Sequence, residues 1–166
     1  MKKNIILSIL LFAFSCLAVR AIVIPKEHIF IFERSTNSNY VCYDINLQDG
    51  KFNPKSPLNS YWVLDEGTRL GELTFLEKKV AFGIKVICSK EDEAQVHMTA
   101  YKDLIIRVCK HKGKWVGIVK IHGHEAILQK MFAQMKPSIY PRCEYVDVFG
   151  TDIVTGKAVR ERIMAK

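Results

Sequence analysis

Glu33-Arg34-Ser35-Thr36-Asn37-Ser38-Asn39-Tyr40-Val41-Cys42-Tyr43-Asp44 is the stretch whose reading decides the fold. An apolar run, His28-Ile29-Phe30-Ile31-Phe32, leads into it, and strand-forming residues from Tyr40 to Ile45 lead out. Between them stand small and polar residues that turn a chain. The pattern predicts a hairpin of two strands, 28–34 and 39–46. The first is apolar on both faces, Phe30 and Phe32 on one and Ile29 and Ile31 on the other, as in a strand covered from both sides. Glu33 and Arg34 then fall on opposite faces. Arg34 shares its face with Phe30 and Phe32, and aromatic rings favour a guanidinium neighbour over a carboxylate. Arg34 is therefore expected to point inward, partnered by Asp44 or Glu77, with the Asn37 and Asn39 amides nearby.

Working outward, residues 48–59 read as a long loop, with a turn at Asp49-Gly50 and extended backbone at Pro54 and Pro57. Tyr61-Trp62-Val63-Leu64 is the next strand. The period then changes. From Gly71 to Phe82, Leu73, Leu76 and Val80 recur at i, i+3 and i+7, one face of a helix. Glu72 near its start, Lys78-Lys79 near its end and Gly83 as a cap suit the helix dipole and terminus. The stripe predicts a helix of about three turns, with Leu76 buried against the sheet. After Gly83, strands are expected near 84–89, 94–101, 103–110, 114–121, 125–135, 143–149 and 158–164, separated by turn residues. The fold class expected is mainly β: an antiparallel meander closing into a barrel or sandwich, with one α-helix packed on it.

The N-terminus reads as an export signal. Lys2 and Lys3 give a positive start, Ile5 to Val19 an apolar run, and Val19 and Ala21 the small residues of a cleavage site. The run falls short of the roughly 20 residues that span a bilayer. Residues 1–21 are expected to be removed, leaving 22–166 as a single β-rich domain in the periplasm or outside the cell. Lipidation at Cys16 fits less well, because Phe14 interrupts the small residues before it. The formal charge of +8 falls by three when Lys2, Lys3 and Arg20 leave. The remaining Lys and Arg are scattered, with no basic stripe interleaved with aromatics, so nucleic acid is not an expected partner. Cys42, Cys88, Cys109 and Cys143 remain, and three full disulfide pairings are open to them.

One further set of residues points to a family. Glu33-Arg34-Ser35 with Asn37 and Asn39, Tyr43-Asp44, Tyr61-Trp62, Leu73-Thr74 with Glu77-Lys78-Lys79, Ala81-Phe82-Gly83, and Gly150 with Asp152, Thr155-Gly156-Lys157 and Glu161 are its elements. Together they resemble exported bacterial proteins known as the domain of unknown function DUF4833. The resemblance implies a single domain and a Gram-negative origin, and no activity.

The candidate site gathers Glu33, Arg34, Asn37, Asn39 and Asp44 at one end of the hairpin, with Tyr61 and Trp62 as an apolar wall. Glu77 joins them from the helix, where it needs a partner such as Arg34 or Arg107. An arginine here suits a carboxylate or phosphate. His122 and His124, with His111, have the composition but not the surroundings of a metal site. Cys42 near Asp44 would need a histidine brought in from elsewhere to act as a nucleophile. No catalytic residue, metal or cofactor is assigned. The function expected is a non-enzymatic binding or structural module of the cell envelope, its partner a small molecule or envelope component. The alternative is a small periplasmic hydrolase using Glu33 or Glu77 as acid or base.

Overall fold

In the computed structural model, residues 27–137 and 142–165 are described. The expected signal, 1–21 with Cys16, lies outside them. The chain is mainly β, as expected. Its strands are β1 (Phe30–Arg34), β2 (Tyr40–Ile45), β3 (Leu47–Gln48), β4 (Lys51–Phe52), β5 (Leu58–Leu64), β6 (Arg69–Glu72) and β7 (Ile84–Lys90). They continue with β8 (Glu93–Met98), β9 (Tyr101–His111), β10 (Lys114–Ile121), β11 (His124–Lys136), β12 (Arg142–Asp152) and β13 (Ala158–Met164). Eleven of these form one curled sheet, a half-barrel, and β3 and β4 pair separately. The segment expected as the loop 48–59 thus holds a small hairpin around Asp49-Gly50, and β5 starts three residues earlier than Tyr61. Three tight hairpin turns, Asp49-Gly50, Lys112-Gly113 and His122-Gly123, have positive φ at both residues, the primed geometry that matches strand twist.

The sheet is not a pure meander. β11 is its hub. Its edge towards β12 is paired from Ala126 to Lys136. A strand has two edges, so β10 and β1 must share the other. β10 takes His124 to Ile127 antiparallel, and β1 takes Lys130 to Ala133 parallel. A bulge falls between these stretches, where Leu128 faces Gly150 and Lys130 faces Phe149. The burial pattern shifts with it: Ala126 and Leu128 are buried before the bulge, Met131 and Ala133 after it. One extra residue re-aims the strand, and two wings leave one edge, β1-β2-β5-β6 and β10-β9-β8-β7. Gly150 is needed opposite the bulge, because a Cβ there would lie 2.7 Å from the Ile127 carbonyl oxygen.

The inner faces of both wings meet in one apolar core. The Phe30 ring stacks on Tyr43 with centroids 4.2 Å apart, and Phe82 meets Phe32 and Trp62 edge-on. Val96, Ile106 and Val119 close it from the second wing, and Leu128 from the hub strand β11.

The three-turn helix over 71–82 is not formed. Arg69 to Glu72 instead pair with β5 as β6. Thr74 then caps a single short α-helix, α1 (Phe75–Glu77), which passes into a π-turn over Lys78–Phe82. Leu73 is buried at 4 %, but Leu76 is 65 % and Val80 58 % exposed. The wider winding of the π-turn, five residues per bond rather than four, rephases the stripe and sends Phe82 inward in place of Val80. The carbonyls freed at its end are met by side chains: Tyr43 Oη donates to Phe82 O at 2.8 Å, and Thr99 Oγ1 donates to Lys78 O and Gly83 O.

On the outer face, Asp147 of β12 is 3 % exposed and accepts hydrogen bonds from Arg160 at 2.6 Å and Arg162 at 2.9 and 3.0 Å. Hydrogen bonding by Arg162, then by Arg160, holds its carboxyl below the usual range against the opposing effect of burial. A carboxyl depressed by folding stabilises the fold above its unfolded pKa, about 4, and stops doing so as pH falls through the lower folded value. The denaturation midpoint of the native chain should therefore drop on acidification below about pH 4, and Asp147→Asn should flatten that drop. Identical pH profiles for the two proteins would rule this out.

Candidate functional site

The curled sheet leaves a cavity of about 670 Å³ at one open end. Its walls come from β1, α1 and the turn that follows it, the β8–β9 connection, the start of β9 with Lys102 and Asp103, β11, β12 and the last residues of β13. Phe32, Phe82, Val146 and Ile163 line it, together with Met98, Met131, Met135 and Met164. Methionine is flexible and polarisable, so such a wall adapts to an apolar guest. The volume lies within the range of small-molecule sites.

Arg34 lines the cavity, as strand alternation predicts. Its guanidinium carbon lies 4.8 Å from the centre of the Trp62 ring and 5.6 Å from that of Phe82. Its Nε is buried and makes no hydrogen bond to any described residue. Burial pulls the Arg34 pKa below its ordinary value and the charge of Glu77 pushes back; the group remains a cation. Glu77 also lines the cavity, but its oxygens are engaged. Oε1 accepts from Trp62 Nε1 at 3.2 Å, and Oε2 from the Thr74 backbone N–H at 2.8 Å and Thr74 Oγ1 at 2.9 Å. Burial raises the Glu77 pKa, yet the Thr74 and Trp62 hydrogen bonds and the Arg34 charge outweigh it, so the net shift is downward. A general acid needs the opposite shift. Thr74 and Glu77 form a capping box, and its Thr-x-x-Glu signature stands in the sequence, where it marks the helix start that the Leu73-Leu76-Val80 stripe obscures.

The other expected site residues lie elsewhere. Glu33 faces outward and pairs with Lys130 at 3.0 Å. Glu33 and Glu77 thus stand on opposite sides of β1 and do not share a cleft; the second carboxylate on the cavity lining is Asp103. Asn37 Oδ1 accepts from the Asn39 N–H, and Asn39 Oδ1 from the Asp65 N–H, so both amides build turns rather than reach Arg34. Asp44 is not the Arg34 partner. Its Oδ1 lies 2.7 Å from His28 Nδ1, and its Oδ2 accepts from Tyr61 Oη at 2.7 Å. Tyr61 therefore belongs to Asp44, and only Trp62 of the pair forms the wall beside Arg34. His122 Nε2 lies 2.9 Å from the Arg160 carbonyl oxygen, and His111 ends β9, opposite Lys114 at the other end of β10 from His122.

His28 is the residue that sequence reading passes over. Its Nε2 lies 3.5 Å from Cys42 Sγ, so thiol, imidazole and carboxylate stand in the order of a nucleophilic relay. The ring separates the other two groups, which prevents all three from binding one ion. With Nδ1–H donated to Asp44, Nε2 accepts from the thiol. The Cys42 thiol is 0 % exposed, and burial, followed by the charge of Asp44, pushes its pKa up to about 12. A sealed, protonated thiol is inert. The relay ties the residues before β1 to β2 and β5. All four described cysteines are free thiols, with Cys88 exposed.

No curated protein and no solved structure matches the chain. One family model does. It covers residues 30–162, beginning two residues after His28 and taking in Arg34, Trp62, Glu77 and the strands that carry them. The chain belongs to the family described as Domain of unknown function (DUF4833).

Proposed function

We propose that the chain is an exported, non-enzymatic binding module of the cell envelope, and that its ligand is a small amphipathic anion. The observation that carries this reading is Arg34: a cation whose buried Nε has no hydrogen-bond partner among the described residues, on the wall of a methionine-rich, mostly apolar cavity. The cavity would take an apolar chain, and the guanidinium a carboxylate, sulfate or phosphate head in a charge-assisted bond. Glu77 makes no direct contact with Arg34, because its oxygens are held by Thr74 and Trp62, and the other charged residues of the lining, Lys102 and Asp103, are of opposite sign to each other. Export rests on the charged start, the apolar run and the small residues at Val19 and Ala21. Protein isolated from its host should begin at Ile22 or a near neighbour on N-terminal sequencing; an intact Met1 in the membrane fraction would contradict this.

Calorimetric titration with dodecanoate and with uncharged dodecanol tests the ligand. Dodecanoate should bind and raise the melting temperature. Arg34→Leu, which keeps an apolar filling, should weaken dodecanoate by roughly 10- to 100-fold, the weight of a hydrogen bond to a charged group, and leave dodecanol unchanged. Equal dodecanoate affinity in the two proteins would remove Arg34 from the site.

A further inference from the structure

On the other side of the α1 turn, away from the cavity, lies a second concavity of about 590 Å³. Residues 55–60 form one bank, 83–86 the other, and Phe75, Lys78 and Lys79 the end between them. Both banks are open strand edges. β7 ends the sheet and, among the described strands, pairs only with β8. β6 pairs with β5 only from Tyr61 onward, so Leu58, Asn59 and Ser60 have no neighbour on that edge among the described strands. An open edge presents N–H and C=O groups ready for another strand.

Four lysines from three elements converge on this groove: Lys55, Lys78, Lys79 and Lys85. No carboxylate lines it, and none of the four makes an ion pair among the described residues. A lysine on an edge strand commonly serves to prevent pairing, which accounts for Lys85 by itself. It does not account for Lys55 before β5 or for Lys78 and Lys79 on the turn. Between the cations run apolar surfaces, the exposed Phe75 ring, Ile84 and Val86.

We propose that this groove binds an extended acidic segment of another protein, added as a strand along the open edges of β5 and β7. Backbone pairing would give the affinity and the lysines the selectivity for acidic side chains. The three edge residues on each bank measure roughly 10 Å at 3.3 Å per residue, room for a short extended piece. The chain itself does not supply it. Residues 1–26, 138–141 and 166 contain no Asp or Glu. A second copy fits poorly, because its β7 would bring Lys85 and Lys90 against lysines already there.

The test uses a fluorescein-labelled octapeptide of alternating Glu and Val and the same peptide N-methylated at alternate residues, which removes strand pairing on one edge. The first should bind in fluorescence polarisation and the second at least tenfold more weakly. Lys78→Glu with Lys79→Glu, and separately Lys55→Glu, should each weaken the parent peptide severalfold or more, with circular dichroism confirming the fold. Equal binding of the N-methylated peptide would reduce the groove to an ion-exchange surface. Equal binding of a Lys-Val octapeptide would reduce it to an apolar patch. Absence of binding at millimolar peptide, or self-association that the peptide does not displace, would also overturn the proposal.

Discussion

Phe30→Ala is expected to cost roughly 3–5 kcal/mol, the range for truncating a well-packed buried aromatic ring. The ring is 1 % exposed and stacks on Tyr43 at 4.2 Å. Its removal opens a void beside Tyr43, whose hydroxyl anchors the α1 turn through the Phe82 carbonyl. The loss should therefore reach beyond the missing ring atoms, because Tyr43 can tilt into the space and release that bond. Denaturant unfolding of Phe30→Ala beside Val154→Ala checks it. Val154 is 92 % exposed, so that control should change by less than about 0.5 kcal/mol. A comparably small loss for Phe30→Ala would show that the two wings do not share a core at this point.

Gly83→Ala is the second large expected loss, and its cause is steric. The backbone there has an ordinary φ of −65°. An added Cβ would collide with the Lys78 carbonyl oxygen and lie 2.8 Å from Thr99 Oγ1. Backbone cannot swing aside as a side chain can, so the turn must shift and the Thr99 bonds to Lys78 O and Gly83 O must lengthen or break. Overpacking of this kind costs about 1–3 kcal/mol, and more where backbone is involved. Because the same turn carries Glu77 and one wall of the cavity, dodecanoate affinity should fall together with the denaturation midpoint. An unchanged midpoint would mean that the turn is not clamped in this way.

The hairpin was readable because its signals are local. Glu33 and Tyr40 pair across a short connection rich in turn residues, and period-two alternation placed Arg34 inward without knowledge of the rest of the chain. The α1 region was misread because two signals compete there. Leu73, Leu76 and Val80 satisfy a helical period, but β6 pairing absorbs Arg69 to Glu72, and the capping box starts the helix at Thr74. Tertiary pairing overrode the stripe. The Arg34 partner was half legible: Glu77 is near as a charge, whereas Asp44 was claimed by His28. That contact depends on register and on a bend. Pairing of Phe30 with Tyr43 brings Ile29 opposite Asp44, and the bend at Ile29 lets the next residue back, His28, reach the Asp44 carboxylate. Neither can be read from a histidine and a cysteine 14 positions apart. The lysine groove was invisible for the same reason, since its four cations meet only when β5 and β7 are brought together by the curl of the sheet.

The bulge in β11 also sets an order in time. From β7 to β11 each strand pairs with the next, so that wing closes by short loops. β1 leaves the ribosome early but pairs with β11, Ile31 against Lys130, and nothing nearer in the chain occupies that place. Closing so long a loop carries the largest entropic penalty in the sheet, and such contacts slow folding. The first hairpin must wait, with the apolar faces of Phe30 and Phe32 uncovered, until the distant strand has been synthesised and has bent. The half-barrel is thus completed at its first strand.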